Sequence, residues 1–163
     1  MKEESLLKIF KEYNLQYTIH QHEPVFTVDE SQHLTESIPG AHSKNLFLKD
    51  KKKSLFLVSV LEQKRLHLKA LSKILGKGGL SFAGAEDMLE KLNLTPGSVT
   101  PYGLIHDQNK EVTFVLDRDF LNYEIVNFHP LRNDQTLSVN INDFLAFFEK
   151  LNHRPQLIEI PEI

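Results

Sequence analysis

Residues 45–48 and 54–60 are two apolar runs separated by the polar stretch 49–53, KDKKK. Each run is too short for a buried helix and the stretch between them is turn-like, so the pair reads as a β-hairpin. A hairpin of this kind commits the chain to a sheet, and the flanking segments have to pair with it or pack on it. Leu6, Leu7, Phe10 and Tyr13 stand at helical spacing over residues 3–13. Residues 16–21 alternate, with Tyr17 and Ile19 on one side and Thr18 and His20 on the other, as a short strand does. After Pro24, Thr27-Val28-Asp29-Glu30 matches a capping box and predicts a helix over 28–35. Helical spacing returns over 62–75, with Leu66, Leu71, Ile74 and Leu75 apolar and Gly76-Lys77-Gly78-Gly79 as the stop.

A further helix is predicted over 85–92, ending at Asn93, and the turn-rich residues 94–103 predict an ordered loop. Strands are expected over 111–116, 124–128 and 136–141. A last helix over 142–151 puts Phe144, Leu145, Phe147 and Phe148 on a wide apolar face, and residues 155–163 read as extended. Helices mixed with strands that follow one another by short links predict an α+β fold: a mixed, partly barrel-like β-sheet with helices packed on it. No repeat, linker or low-complexity tract interrupts the 163 residues, a length that suits one domain spanning 1–163.

Composition narrows the chemistry. The chain has no cysteine, which excludes disulfides, thiol nucleophiles, Cys-based zinc sites and iron–sulfur clusters. Any catalysis rests on Lys, His, Ser, Thr or carboxylates. No apolar run has the length of a membrane span, and the amino terminus MKEESLLKIF is charged and amphipathic, unlike a secretory signal; a cytoplasmic protein without a membrane partner is expected.

The net charge of −3 is unevenly divided. Residues 44–77 hold ten of the 19 basic residues against two acids, Asp50 and Glu62, a balance of +8, so the remainder carries −11. Arg65, Lys69 and Lys73 recur every fourth residue and would share one face of a helix. Such a cluster either solvates a surface or meets a polyanion.

No Walker loop, dinucleotide fingerprint or Gly-x-Ser-x-Gly elbow occurs. His20 and His22, two apart in a strand, can face one metal, although no third ligand is indicated. Three places are more specific: Lys44-Asn45 at the mouth of a strand, the loop Gly97-Ser98-Val99-Thr100-Pro101, and the segment 127–136 with His129. Each alone admits a plain structural reading. Together they supply a cation, backbone N–H donors and an imidazole without a protein nucleophile, which suits electrostatic stabilisation of attack by water.

His22-Glu23-Pro24-Val25-Phe26-Thr27, Lys44-Asn45-Leu46-Phe47-Leu48-Lys49-Asp50, Gly97-Ser98-Val99-Thr100-Pro101-Tyr102-Gly103-Leu104 and His129-Pro130-Leu131-Arg132-Asn133-Asp134-Gln135-Thr136 resemble the YbaK/prolyl-tRNA-synthetase-associated editing domain family, in that family's order and over nearly the whole chain. The likeness is greatest to its free-standing members that hydrolyse alanine mischarged on proline tRNA, as opposed to the cysteine-clearing branch. The resemblance implies a deacylase without metal or organic cofactor, in which water attacks the ester at the tRNA 3′ end. It implies that Lys44 holds polar groups of the substrate, Gly97 offers a backbone N–H to the ester carbonyl, and His129 shapes the alanine pocket or meets the terminal ribose. Substrate contacts are expected at Asn45, Val25, Phe26, Thr27, Ser98, Thr100, Pro101, Asn133 and Thr136, with tRNA contacts at Arg65, Lys69 and Lys73. The implied partners are the acceptor end of tRNA(Pro) and, transiently, prolyl-tRNA synthetase. A non-catalytic tRNA- or synthetase-binding module and a metal hydrolase built on His20 and His22 are the rival readings.

Overall fold

The computed structural model describes residues 2–24 and 37–163. The helix expected over 28–35 lies outside these residues. Helix α1 (Lys2–Glu12) leads to strand β1 (Thr18–Gln21), and β2 (Ala41–Lys49) and β3 (Leu55–Leu61) form the expected hairpin. Helix α2 (Leu68–Leu75), strand β4 (Ser81–Phe82) and helix α3 (Ala85–Leu92) follow. A 3₁₀ segment (Pro101–His106), β5 (Val112–Asp117), a second 3₁₀ segment (Arg118–Asn122), β6 (Ile125–Phe128), β7 (Gln135–Asn140), α4 (Ile141–Lys150) and β8 (Gln156–Ile158) complete the order. The result is the expected α+β architecture around one mixed sheet of eight strands, in the order β1-β7-β6-β2-β3-β5-β8 with β4 on β2.

Strand β2 organises the sheet. One edge pairs antiparallel with β3 from Ser43↔Leu61 to Lys49↔Leu55. Its other edge is shared: Ala41 and His42 pair parallel with Val126 and Asn127 of β6, while Leu48 and Lys49 pair with β4. Between those two contacts the edge of residues 43–46 carries no strand among the described residues. Gly40 makes the junction with β6 possible. It has φ +106°, and a Cβ there would lie 2.7 Å from the carbonyl oxygen of Ile125.

Alternation along the strands divides the apolar residues into two clusters. Ala41, Phe47, Leu55, Leu57 and Leu61 face a large core closed by α1, α3, α4 and the first 3₁₀ segment. Leu48, Phe56, Val58 and Val60 face a smaller one covered by Leu71 and Leu75 of α2 together with Ile160. Among the described residues no helix is long and apolar enough to cross a membrane.

Helix α2 begins at Leu68, later than the spacing predicts, with the His67 imidazole accepting from Ala70 N–H. The residues ahead of it form a turn because Lys64, 6% exposed, is drawn inward to Asp117 (3.0 Å) and Asp119 (2.8 Å). Burial opposes its charge, yet the two carboxylates outweigh that and hold the ammonium pKa above its ordinary value. Arg65 therefore precedes the helix, and only Lys69 and Lys73 share a helical face. The tail is extended, as expected, and part of it joins the sheet. Gln156, Leu157 and Ile158 pair parallel with Val115, Leu116 and Asp117, so β8 is an edge strand of the sheet.

In the large core, Tyr102 is fully buried among Phe10, Phe128, Phe144, Phe147 and Phe148, and among the described residues its hydroxyl has no hydrogen-bond partner. Burial pushes its phenol far above the usual range. A buried, unsatisfied hydroxyl costs about 1–3 kcal/mol while the ring contacts survive its removal. Tyr102→Phe is expected to stabilise the chain by about 1 kcal/mol and raise Tm by a few degrees. Urea and thermal unfolding check this; a lower midpoint for the variant contradicts it.

Candidate active site

The stretch of the β2 edge that carries no strand among the described residues has Lys44 and Asn45 in its middle, and alternation sends their side chains to opposite faces. Asn45 shares the large-core face with Ser43 and Ser59: its Oδ1 accepts from Ser59 Oγ at 2.6 Å and its Nδ2 donates to Ser43 Oγ at 3.4 Å. Ser43 Oγ in turn donates to the Asn127 carbonyl at 2.9 Å, the last tie between β2 and β6 before the strands part.

Lys44 lies on the other face, half-buried, and its Nζ donates to the backbone carbonyl of Lys64. Desolvation lowers its pKa, and the negative charges of Glu62 and Glu162 offset part of that. Lys44 thus stands half-buried, with the charges of Glu62 and Glu162 acting on it. Glu62 follows directly from β3, its N–H bonded to the His42 carbonyl at 2.9 Å.

His129 enters this face from β6. The same alternation that puts Val126 and Phe128 in the large core turns Asn127 and His129 the other way. Asn127 is buried and structural, donating to the carbonyls of Pro39 (3.0 Å) and Ala41 (3.1 Å) and accepting from Ser138 Oγ. His129 Nδ1 lies 2.8 Å from the Gln135 carbonyl, so Nδ1 carries the proton and Nε2 the lone pair. Burial lowers its pKa most, with His22 adding to that; the Gln135 hydrogen bond and the charges of Glu62 and Asp134 work against them. His129 is therefore a neutral imidazole at neutral pH. Glu62 acts on both Lys44 and His129, which joins the two halves of the site electrostatically.

Thr136 completes that half. It is buried, and its hydroxyl meets His22 Nε2 at 2.8 Å, while His22 Nδ1 donates to the Glu23 carbonyl at 2.7 Å. The His22 and His129 ring centroids are 6.1 Å apart. His22 is thus engaged with Thr136 and Glu23, and among the described residues no group of three or more His, Asp or Glu is placed to hold a metal. Asn133 sits half-buried in the turn that Arg132 and Asp134 close by an ion pair. That pair, led by the Arg132 hydrogen bond, holds the Asp134 carboxyl below its usual range.

The loop 97–101 is built against the other side of the sheet. Gly97 has φ +94°, Ser98 N–H donates to the Thr95 carbonyl at 3.1 Å, and Val99 packs on the large core. Thr100 caps the 3₁₀ segment through Tyr102 N–H at 3.4 Å, and Pro101 is buried as its first residue. Among the described residues no hydrogen bond or ion pair joins this loop to Lys44 or His129. Val25, Phe26 and Thr27 lie outside the described residues. Arg65, Lys69 and Lys73 are exposed beside the small cluster, on the Lys44 side of the sheet. Glu62 and His42 were not singled out by the sequence. Glu62 had one legible mark, as an isolated acid in a strongly basic segment.

Residues 22–147 match the model of the aminoacyl-tRNA editing domain. This chain belongs to that family. Among its relatives, prolyl-tRNA synthetase associated domain-containing protein 1 of Xenopus laevis is 44% identical over 160 residues, which cover 95% of each chain. Prolyl-tRNA editing protein ProX of Acetoanaerobium sticklandii is 35% identical over 134 residues, covering 81% of each. A solved structure proposed to be a trans-editing enzyme for prolyl tRNA synthetase superposes with a TM-score of 0.75 at 20% identity, over 99% of this chain and 98% of its own. At that identity the likeness speaks for the fold of the editing domain alone.

The lowered pKa of His129 sets a pH dependence. The unfolded chain takes up this proton near 6.5, whereas the folded editing domain resists it. The stability lost to this group is nil above 6.5 and grows as pH falls from 6.5 through the lower folded value. His129→Gln is expected to flatten that part of the profile. Urea midpoints of both proteins between neutral and mildly acidic pH measure it, and identical slopes would contradict the assignment.

Proposed function

We propose that this editing domain is a trans-editing deacylase that hydrolyses the ester of Ala-tRNA(Pro), releasing alanine and free tRNA. The observation that supports the reading is that strand alternation turns Lys44 and His129 to the same face of the sheet, beside a stretch of the β2 edge that carries no strand among the described residues. Membership of the editing domain family supplies the ester-bonded substrate class.

The chemistry follows from these groups. Ester hydrolysis needs a water held at the carbonyl carbon and a means of stabilising the developing oxyanion; it needs no protein nucleophile. Lys44 offers a positive charge in a half-buried setting, where electrostatic stabilisation is stronger than in open water. His129 offers an Nε2 lone pair that accepts from the terminal ribose or the attacking water, and the substrate's 2′-hydroxyl shares the base work. Asn45, with Ser43 and Ser59, forms a polar group at the same edge, and Thr136 with Asn133 borders His129. Ser98, Thr100, Pro101 and the N–H of Gly97 are assigned to the substrate on the family motif, as are Val25, Phe26 and Thr27. Exposed Arg65, Lys69 and Lys73 are assigned to the phosphates of the acceptor end, and prolyl-tRNA synthetase is the transient partner that releases the mischarged tRNA.

A separate hydrolytic pocket answers a physical problem. One methylene more or less alters binding by only about 1–3 kcal/mol, so a site built for proline admits alanine. A second, smaller pocket excludes proline by overpacking and accepts alanine.

Hydrolysis of purified Ala-, Cys-, Ser- and Pro-tRNA(Pro), with and without chelator, tests the proposal. The expected order puts Ala first and leaves Pro intact, with no effect of chelator. Faster release of Cys moves the chain to the cysteine-clearing branch; binding without hydrolysis makes it a tRNA-binding module. Lys44→Ala is expected to lower kcat by at least about a hundredfold with the unfolding midpoint retained. Wild-type rates in that variant would refute the role of Lys44.

A further inference from the structure

The sequence places Lys51, Lys52 and Lys53 in one loop and Lys69, Lys73 and Lys77 on or after a helix, with nothing to relate the two. The structure joins them. Lys51 N–H donates to the Gly78 carbonyl at 3.1 Å, and the Lys51 side chain lies over Gly79, where an added Cβ would stand 2.8 Å from it. The tip of the β2–β3 hairpin and the end of α2 are therefore one surface. Lys51, Lys52, Lys53, Lys73 and Lys77 are all exposed on it.

Its charge is not cancelled locally. Asp50, the one acid of the tip, is 6% exposed and accepts from the N–H groups of Lys52 (2.9 Å) and Ser54 (2.8 Å), so it serves the turn backbone. Among the described residues none of the five lysines, nor Arg65 or Lys69, enters an ion pair, whereas Lys64 and Lys91 both do. The acids Glu62 and Glu162 act on Lys44, and Glu162 bridges to Leu66 beside Arg65, so they lie at the inner end and away from the hairpin tip.

The surface also has a direction. Its inner end, Arg65, follows Lys64, whose carbonyl receives Lys44 Nζ. From there the cations run along α2, whose eight residues rise about 12 Å, to Lys77 and the hairpin tip. Along β2 the tip stands about 17 Å beyond Lys44, five strand residues away. The few unpaired nucleotides of a tRNA 3′ end, stacked at roughly 3.4 Å each, cover most of such a span.

We infer that Arg65, Lys69, Lys73, Lys77 and the tip lysines 51–53 form a track for the phosphate backbone of a base-paired RNA stem, with the unpaired 3′ end directed toward Lys44. The track rests on the deacylase reading only for which end of the RNA comes to Lys44; attraction of an RNA duplex follows from the charge alone. It reads no base sequence, because phosphate contacts position a duplex without specifying it.

The test takes one lysine from each joined element. Lys52→Glu/Lys77→Glu is compared with the charge-matched control Lys8→Glu/Lys11→Glu on α1 in the full-length chain. Fluorescence anisotropy with an acceptor-stem RNA hairpin across a salt series is expected to give a Kd at least tenfold weaker for the track variant, and a log–log salt slope smaller by about 2. The control is expected to stay near wild type. Hydrolysis of an aminoacyl trinucleotide, which lacks the stem, is expected to be alike in all three proteins, while kcat/KM on full aminoacyl-tRNA falls only in the track variant. Equal loss in the control, wild-type affinity in the track variant, or wild-type binding to phosphatidylserine-containing vesicles in preference to the RNA would overturn the track. If the wild type cleaves neither substrate, the deacylase reading fails, and the anisotropy result still decides the track.

Discussion

The arrangement of the site depends on one buried charge. Lys64 is nearly inaccessible, and an ammonium in that position is tolerated only when carboxylates meet it. Asp117, at the end of β5, supplies one contact and Asp119 another, while Asp117 also accepts the N–H groups of Leu61 (3.2 Å) and Asp119 (3.0 Å). One carboxylate therefore ties the end of β3 and the second 3₁₀ segment to the turn that holds Lys64. That turn delays α2, carries Arg65 to the surface ahead of it, and aims the Lys64 carbonyl at Lys44 Nζ. A partner lost from such a group would leave the other buried and uncompensated, so the turn has little freedom to relax.

The second constraint is the divided edge of β2. Had β6 run beside it for its full length, the edge at residues 43–46 would be closed by backbone pairing. Instead β6 leaves after His42↔Asn127, and β4 pairs only from Leu48, so that among the described residues no strand lies on the edge between them. The opening has an ammonium on one side of the strand and an amide on the other. The departing strand delivers His129 to the ammonium's face. Ligand sites in mixed and parallel sheets commonly occupy such divergences, because side chains from separate strands converge there while the rest of the sheet stays rigid.

Much of this was legible as pattern. The hairpin, α1, α3, α4 and strands β5 to β7 were readable because each has one face in a core and shows that in its spacing. The candidate residues Lys44, His129 and Thr136 were picked out through the family motif. The turn at 62–67 was misread as helix because apolar spacing is blind to a lysine that folds inward. Strands β4 and β8 were missed because two or three residues carry no period, and their hydrogen bonds go to partners far along the chain.

By itself the sequence determined which segments are strands or helices, that no cysteine chemistry is available, and that positive charge gathers in residues 44–77. These are local properties, set by spacing and residue type. Only the tertiary structure decided that Lys44 and His129 share a face, that the charge of Glu62 acts on both, that the 97–101 loop is packed against the other side, and that the hairpin lysines continue the line of cations along α2. Each of those depends on strand register and on where β6 parts from β2. Register is settled by pairing between distant segments, which no short window of residues contains.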